Sequence, residues 1–418
     1  MASNPLHFLA RHPDYKRYFL GMVPIQFGAQ IEAITIAWQV YHIARETRSI
    51  EESAFMVGMV GLCQFVPLFL LTLYAGTLAD RVSRKAIVIW ALLAECVGVL
   101  ALTVVALQTS PQLTHIFLIA ALFGAARAFL SPAASALVPM LVNRNDMPTA
   151  ISFSTTLWMT AVIVGPFIGG LLIAVSIPVA YGIAAVTYLF GVGLIASIKT
   201  HSTPEPQEGH PLTLLREGLV YVWQNKVVFG AISLDLFAVL LGGATALLPA
   251  FATDILHVGP MGNALLRMGP AVGGLLMSAY LTLYPIKRKA GVKMFLGVAA
   301  FGLATIVFAY SRSMPLTLLA LAVLGAGDMI SVNVRQVLIQ IVTPDHMRGR
   351  VSAVSGMFIS GSNELGEFES GVLSRFVGPV TAAAIGGFGT LFVTGVWAAL
   401  FPALRKADSL QTMVDKDA

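Results

Sequence analysis

Twelve apolar runs, at residues 18–43, 54–79, 85–107, 112–138, 149–175, 178–197, 227–253, 260–284, 291–310, 315–342, 350–376 and 380–403, dominate this chain. Each is long enough to cross a hydrocarbon core of about 30 Å as a helix, which takes roughly 20 residues. Lipid supplies no partner for backbone N–H and C=O groups, so a spanning segment is either a helix or part of a closed barrel. The runs lack the in-out alternation of barrel strands, which leaves helices. With 57% hydrophobic and 11% charged residues and a mean hydropathy of +0.80, the chain carries less than half the charge of a soluble one, which is about 25%. An all-α integral membrane protein follows.

The domain organisation expected is a six-helix half at 1–197, a connector at 198–226 and a second six-helix half at 227–418. The connector begins with the polar stretch His201 to His210 and continues into Leu212–Trp223, where Leu212, Leu215, Leu219 and Val222 recur at helical spacing. That pattern predicts a linker followed by an amphipathic helix on a membrane surface. No separate catalytic or nucleic-acid-binding domain fits, so nucleic acid is not an expected partner and the lipid bilayer is. Cys63 and Cys96 both lie in apolar runs, which argues against a disulfide framework or a Cys-based metal site. His201 and His210 flank a polar loop and are read as solvated, so no metal is expected. The spans hold no compact nucleophile and base, so no enzymatic activity is expected. No phosphate-binding loop of the Gly-x-x-x-x-Gly-Lys-Ser type occurs and no cofactor is expected, which leaves an ion gradient as the energy source. The N-terminal segment, Met1 to Tyr18, lacks a short apolar run ending in a small-residue cleavage site, so the first span is read as retained.

The short charged stretch Gly76-Thr77-Leu78-Ala79-Asp80-Arg81-Val82-Ser83-Arg84-Lys85 between the second and third runs sets the orientation. Loops on its side, with the termini, hold about nineteen Lys and Arg against about four on the other face, which places the termini and this stretch in the cytoplasm. Sliding the chain by 201 positions aligns Gly124 with Gly325, Ser154 with Ser355, Gly165 with Gly366 and Gly170 with Gly371. Arg127 then meets Asp328, a charge three residues after an aligned glycine in both copies. Two parallel repeats of six spans, with substrate handled where they meet, are a recurring transporter plan.

The stretch Gly-x-Leu-Ala-Asp-Arg-x-x-Arg-Lys resembles the cytoplasmic signature of the major facilitator superfamily. Arg335-Gln336-x-x-x-Gln340-x-x-Thr343-Pro344-x-x-Met347-Arg348-Gly349-Arg350, continuing through Asn363-Glu364-Leu365-Gly366-Glu367, is similar to the branch that contains the enterobactin exporter. The resemblance spans about residues 10 to 405. Two positions depart from the antiporter pattern: Ala120 stands where drug antiporters carry an arginine in span 4, and Ala161 replaces a glycine four residues before Gly165-Pro166. The resemblance implies secondary active transport by alternating access, with spans 1, 4, 7 and 10 lining a central cavity.

Charges inside spans are the candidate working parts, since each costs roughly 2.5–3.5 kcal/mol at mid-helix on insertion scales. Glu32, Arg127, Asp235, Asp328 and Arg335 fall on cavity-lining spans and are the candidate substrate-binding residues, with static ion pairing as the alternative for each. Glu95, on a span that the resemblance places at the periphery, reads as structural. Glu364 and Glu367, three apart on one face of span 11, are candidate proton carriers, because two close carboxylates suit uptake and release of a proton; pairing with a cation such as Arg335 or Arg267 is the alternative. Gly76, Asp80, Arg81 and Arg84 are the candidate conformational gate: Asp80 is expected to meet the backbone near residues 349–353 at the start of span 11, and the two arginines to pair with acids. Small residues four apart, Gly165 and Gly169, Gly269 and Gly273, Gly366 and Ser370, permit close helix approach between the halves.

The function expected is proton-coupled export of a small amphiphilic molecule, a siderophore-like metabolite or a drug, by a monomer in a bacterial inner membrane. A lipid flippase on the same fold and a ligand sensor without transport are the alternatives.

Overall fold

Apolar side chains on every face leave a segment no soluble surface to present, and each of these runs closes its own backbone hydrogen bonds as a helix. The computed structural model describes residues 5–79, 81–200, 211–286 and 288–406. It contains, after a short helix Pro5–Arg11, six long helices: α1 Pro13–Arg45, α2 Ile50–Ala79, α3 Arg84–Ala106, α4 Leu113–Leu141, α5 Met147–Val175 and α6 Ile177–Ala196. A connecting helix Pro211–Gln224 leads to α7 Lys226–Gly242, α8 Gly259–Leu283, α9 Ala290–Tyr310, α10 Met314–Val342, α11 Asp345–Val377 and α12 Pro379–Leu400. Among the described residues, eleven helices are long and apolar enough to cross a membrane. The remaining one, α11, has 33 residues and is more polar, with Glu364, Glu367 and Glu369 in its second half. Large apolar side chains point outward along these helices, among them Leu70, Trp90, Phe190, Leu276 and Phe392, each more than 60% exposed. In a bilayer that outward face is solvated by acyl chains.

The predicted seventh span, 227–253, is not one continuous helix. It ends as α-helix at Gly242, passes through a 3₁₀ turn at Ala244–Leu247 and a short α turn, and closes as a π-helix at Phe251–Ile255. Gly243 ends the α-helical ladder, and its carbonyl accepts a hydrogen bond from the Ser370 hydroxyl of α11 at 2.8 Å. Broken helix is tolerated at membrane depth where protein satisfies the freed groups.

The chain divides into two compact units, Met1–Ile43 with Cys63–Glu208, and Ala44–Leu62 with Gly209–Ala418. In the first, α3 packs between α4 and α6. In the second, α9 packs on α10 and α12, α10 also on α8, and α7 on α11 and α12. Its core joins Leu234 and Ala238 to Met294, Val298, Val334, Leu338 and Val393. The connecting helix is anchored by Val222, buried with Val228, Ile232, Ile339, Met347, Val351 and Val354. Leu219, which the spacing put on one stripe with Val222, is exposed, as is Trp223. The polar linker 201–210 lies outside the described residues.

The aligned glycines of the repeat do one job in both copies. A Cβ on Gly124 in α4 would sit 2.0 Å from the Gln64 carbonyl oxygen of α2, and one on Gly325 in α10 would sit 1.8 Å from the Pro270 carbonyl oxygen of α8. Each glycine therefore marks backbone-to-backbone contact between the second and fourth helices of its half. The other small-residue pairs also make their closest contacts inside one unit. Gly165 and Gly169 meet Gln30, Ile31 and Ile34 of α1; Gly269 and Gly273 meet Leu321 and Ala322 of α10; Gly366 meets Val239 and Leu240 of α7.

Candidate functional site

Each unit buries an acid from its first long helix against an arginine from its fourth. In the first, Arg127 on α4 places Nη2 3.1 Å from Oε1 of Glu32 on α1, Nη1 2.9 Å from Oε1 of Gln64 on α2, and Nε 3.5 Å from Oε1 of Glu95 on α3. Gly124, one turn before Arg127, brings the α2 backbone close enough for Gln64 to reach the guanidinium. From α6, the Tyr188 hydroxyl lies 2.9 Å from Oε2 of Glu32 and 2.7 Å from Oε2 of Glu95. Glu32, Glu95 and Tyr188 are closed off at 0%, 3% and 0% exposure, whereas the Arg127 side chain is 30% exposed. The arginine caps a sealed acidic pocket and presents its own outer edge.

In the second unit, Arg335 on α10 pairs with Asp235 on α7 at 3.0 Å, with side chains 2% and 5% exposed. Ser331, one turn before Arg335, donates its hydroxyl to Asp235 at 3.4 Å. Asp328 lies two turns before Arg335 on the same helix and feels the charges of both Asp235 and Arg335. The composition repeats, two acids and one arginine, but this cation is enclosed.

Of the predicted substrate-binding residues, the structure brings Glu32 to Arg127, and Asp235 to Arg335 with Asp328 beside them. Glu95, which the sequence reading set aside as structural, belongs to the first network, and Tyr188 and Gln64 complete it. The signal for Glu95 was its charge inside an apolar run, which requires a partner. Tyr188 had no such signal, since a tyrosine in a span is more often an interface anchor. Glu364 and Glu367 are half-buried on α11, both engaged in interactions, where Gly61 of α2 lies against the Glu364 carbonyl and the Glu367 side chain.

Of the predicted gate, Asp80 lies outside the described residues. Arg81 is exposed. Arg84 does not meet an acid in the described contacts; its Nη1 donates to the Ala136 carbonyl at 2.9 Å and touches Met140 Sδ at 3.5 Å, tying α3 to the end of α4. Nothing would touch a Cβ at Gly76 within 4 Å. Among the described residues no group of three or more His, Cys, Asp and Glu is arranged to hold a metal ion.

Two units of membrane-length helices, each setting an arginine against a buried acid inside its spans, fit a multi-pass membrane transporter. The chain belongs to the transmembrane secretion effector family of the major facilitator superfamily, whose family model matches residues 11–417. It is 26% identical over 405 residues to the enterobactin exporter EntS of Escherichia coli O81 (strain ED1a), covering 93% of this chain and 92% of that one, and equally similar to EntS of Shigella boydii serotype 18. Solved structures share the fold: a D-xylose–proton symporter at TM-score 0.74, with 11% identity over 94% of this chain and 99% of the other. A bacterial homologue of the iron transporter ferroportin in its inward-facing state superposes at TM-score 0.68, with 16% identity over 93% and 99%.

Proposed function

We infer that this transporter exports a small, acceptor-rich amphiphile of siderophore type in exchange for protons, working as a monomer in a bacterial inner membrane with both termini in the cytoplasm. The observation that carries the reading is the contrast in exposure between Arg127 and its partners. The acids that would attract a cationic drug, Glu32 and Asp235, are sealed and already neutralised by their own arginines. The group with a partly exposed edge is the Arg127 guanidinium, whose planar fork suits carboxylate or catecholate oxygens. The similarity to an enterobactin exporter over most of both chains supports the same class of cargo. Arg127 is the first contact for the substrate, Glu32 its anchor, and Asp328, Asp235 and Arg335 the matching set in the second half. Carboxylates inside the spans carry the protons, the half-buried Glu364 and Glu367 on α11 among them. The cytoplasmic stretch with Gly76, Asp80, Arg81 and Arg84 acts as the gate.

Inverted membrane vesicles with an acidic lumen and a pH-sensitive dye test this. Adding a catecholate siderophore is expected to release luminal protons in wild type and not in Arg127→Ala or Asp328→Asn. A response to lipophilic cations alone, or none to either class, overturns the reading.

A further inference from the structure

We propose that Glu32, Tyr188 and Glu95 form a site that holds one proton and passes it across the first half, with Arg127 as its lid. The Tyr188 oxygen lies 2.9 Å from one carboxyl oxygen and 2.7 Å from another, both within O–H···O hydrogen-bond range. A phenol has one hydrogen to donate, and a carboxylate has none. With both acids ionised, one of these two contacts would bring two oxygens together with no hydrogen between them. One carboxyl must therefore donate to the phenol oxygen while the phenol donates to the other.

The charges give the same number independently. Arg127 supplies one positive charge to two buried acids, and one proton makes the set neutral, the condition for burying it at low cost. The polar groups that meet at this pocket are Glu32 from α1, Gln64 from α2, Glu95 from α3, Arg127 from α4 and Tyr188 from α6. Helix α5 sets Gly165 and Gly169 against Gln30, Ile31 and Ile34 of α1, and Tyr181 of α6 spends its hydroxyl on Gln39 at 2.8 Å. No second cation reaches the pair in the described contacts.

Geometry also gives the proton a path. Arg127 donates a hydrogen bond to Glu32, while its contact with Glu95 is longer at 3.5 Å. The chain of donors then runs from the Glu95 carboxyl to the Tyr188 oxygen, and from the Tyr188 hydroxyl to the Glu32 carboxylate. A concerted shift breaks the Glu95 O–H and Tyr188 O–H bonds and forms one on the Tyr188 oxygen and one on Glu32, so the phenol is unchanged and one proton has moved. An acceptor-rich substrate that draws Arg127 outward removes the charge holding Glu32 ionised and pulls the proton that way. This step rests on the transport reading above; the existence of the proton does not.

Infrared difference spectroscopy on the purified full chain, without substrate, tests the site, because only a protonated carboxyl shows the carboxylic C=O stretch and its shift in D2O. The expected result is a wild-type band that falls by the equivalent of one group per chain in Glu95→Gln and in Glu32→Gln. Each variant leaves a single acid matched to Arg127 and offers an amide N–H where a carboxyl donor stood, so both are expected to fold. Tyr188→Phe keeps the band and shifts its frequency. A wild-type band that survives undiminished in both glutamine variants, or a band indifferent to Tyr188→Phe, overturns the site. The band is read with no substrate present, so its loss as a signal sinks the proton site alone, while a silent vesicle assay with the band intact sinks the transport reading alone.

Discussion

Arg335 and Asp235 stand 3.0 Å apart in the second half, both almost fully enclosed, with Asp328 two turns along the same helix as the arginine. Removing one partner of a buried pair leaves the other charge uncompensated, at about 3–5 kcal/mol. The two deletions are not equivalent. Arg335→Met strips the only described cation from two acids, whereas Asp235→Asn leaves Arg335 with Asp328 to balance it. Thermal unfolding in detergent should therefore show a larger loss for Arg335→Met than for Asp235→Asn. Equal losses would mean that Asp328 does not share the arginine.

Arg127 is held through three nitrogens at once, to Glu32, Gln64 and Glu95. A lysine keeps the charge and cannot hold three partners in a fixed plane. Arg127→Lys is expected to fold and to lose transport at least tenfold, and Arg127→Ala to lose stability as well, because two buried acids then share no cation. Transport by Arg127→Lys at the wild-type rate would reduce the arginine to a plain counter-charge.

The aligned glycines predict a steric test. A methyl on Gly124 or Gly325 meets a carbonyl oxygen of the neighbouring helix at 2.0 or 1.8 Å, so the helices must part, and overpacking of this kind costs about 1–3 kcal/mol or more. Gly124→Ala and Gly325→Ala should each lower the unfolding temperature, while Gly76→Ala, with open space around its Cβ, should not. If all three behave alike, close approach at the repeat glycines is not what those positions are for.

How far the chain itself disclosed this architecture depends on what each signal measures. The spans, α11 among them, were legible because length and hydropathy answer directly to membrane thickness. The repeat was legible from Gly124, Gly325 and the charges that follow them. The break after Gly242 was not, since Gly242-Gly243 and Pro249 sit in an apolar run and tertiary contacts such as Ser370 to Gly243 decide whether a helix continues. Glu95 and Tyr188 were missed for a related reason: which faces of α3 and α6 turn toward α1 is a packing fact, and periodicity is silent in helices that are apolar on all sides. The small-residue pairs were expected to admit a helix of the other half, and their closest contacts lie inside one unit, since spacing alone does not say which neighbour a glycine admits.

Arg45, the last residue of α1, grips Asp254 in the π-helical turn with two contacts, Nε to Oδ2 at 3.3 Å and Nη2 to Oδ1 at 3.1 Å, and also donates to the Arg48 carbonyl at 2.9 Å. Both side chains keep some exposure, 33% and 16%, so the pair contributes little to stability, about 0–1 kcal/mol. A two-point grip on an irregular turn is instead suited to a contact that is made and broken as the carrier works, because the turn can re-form around a released aspartate at small cost. Arg45→Asp and Asp254→Arg are therefore expected to leave the unfolding temperature nearly unchanged and to slow transport in vesicles several-fold. The double reversal restores the pair with opposite polarity and should recover at least half of the wild-type rate. Full transport in both single variants would leave the contact without a role in the cycle, and a large drop in unfolding temperature would make it a structural tie.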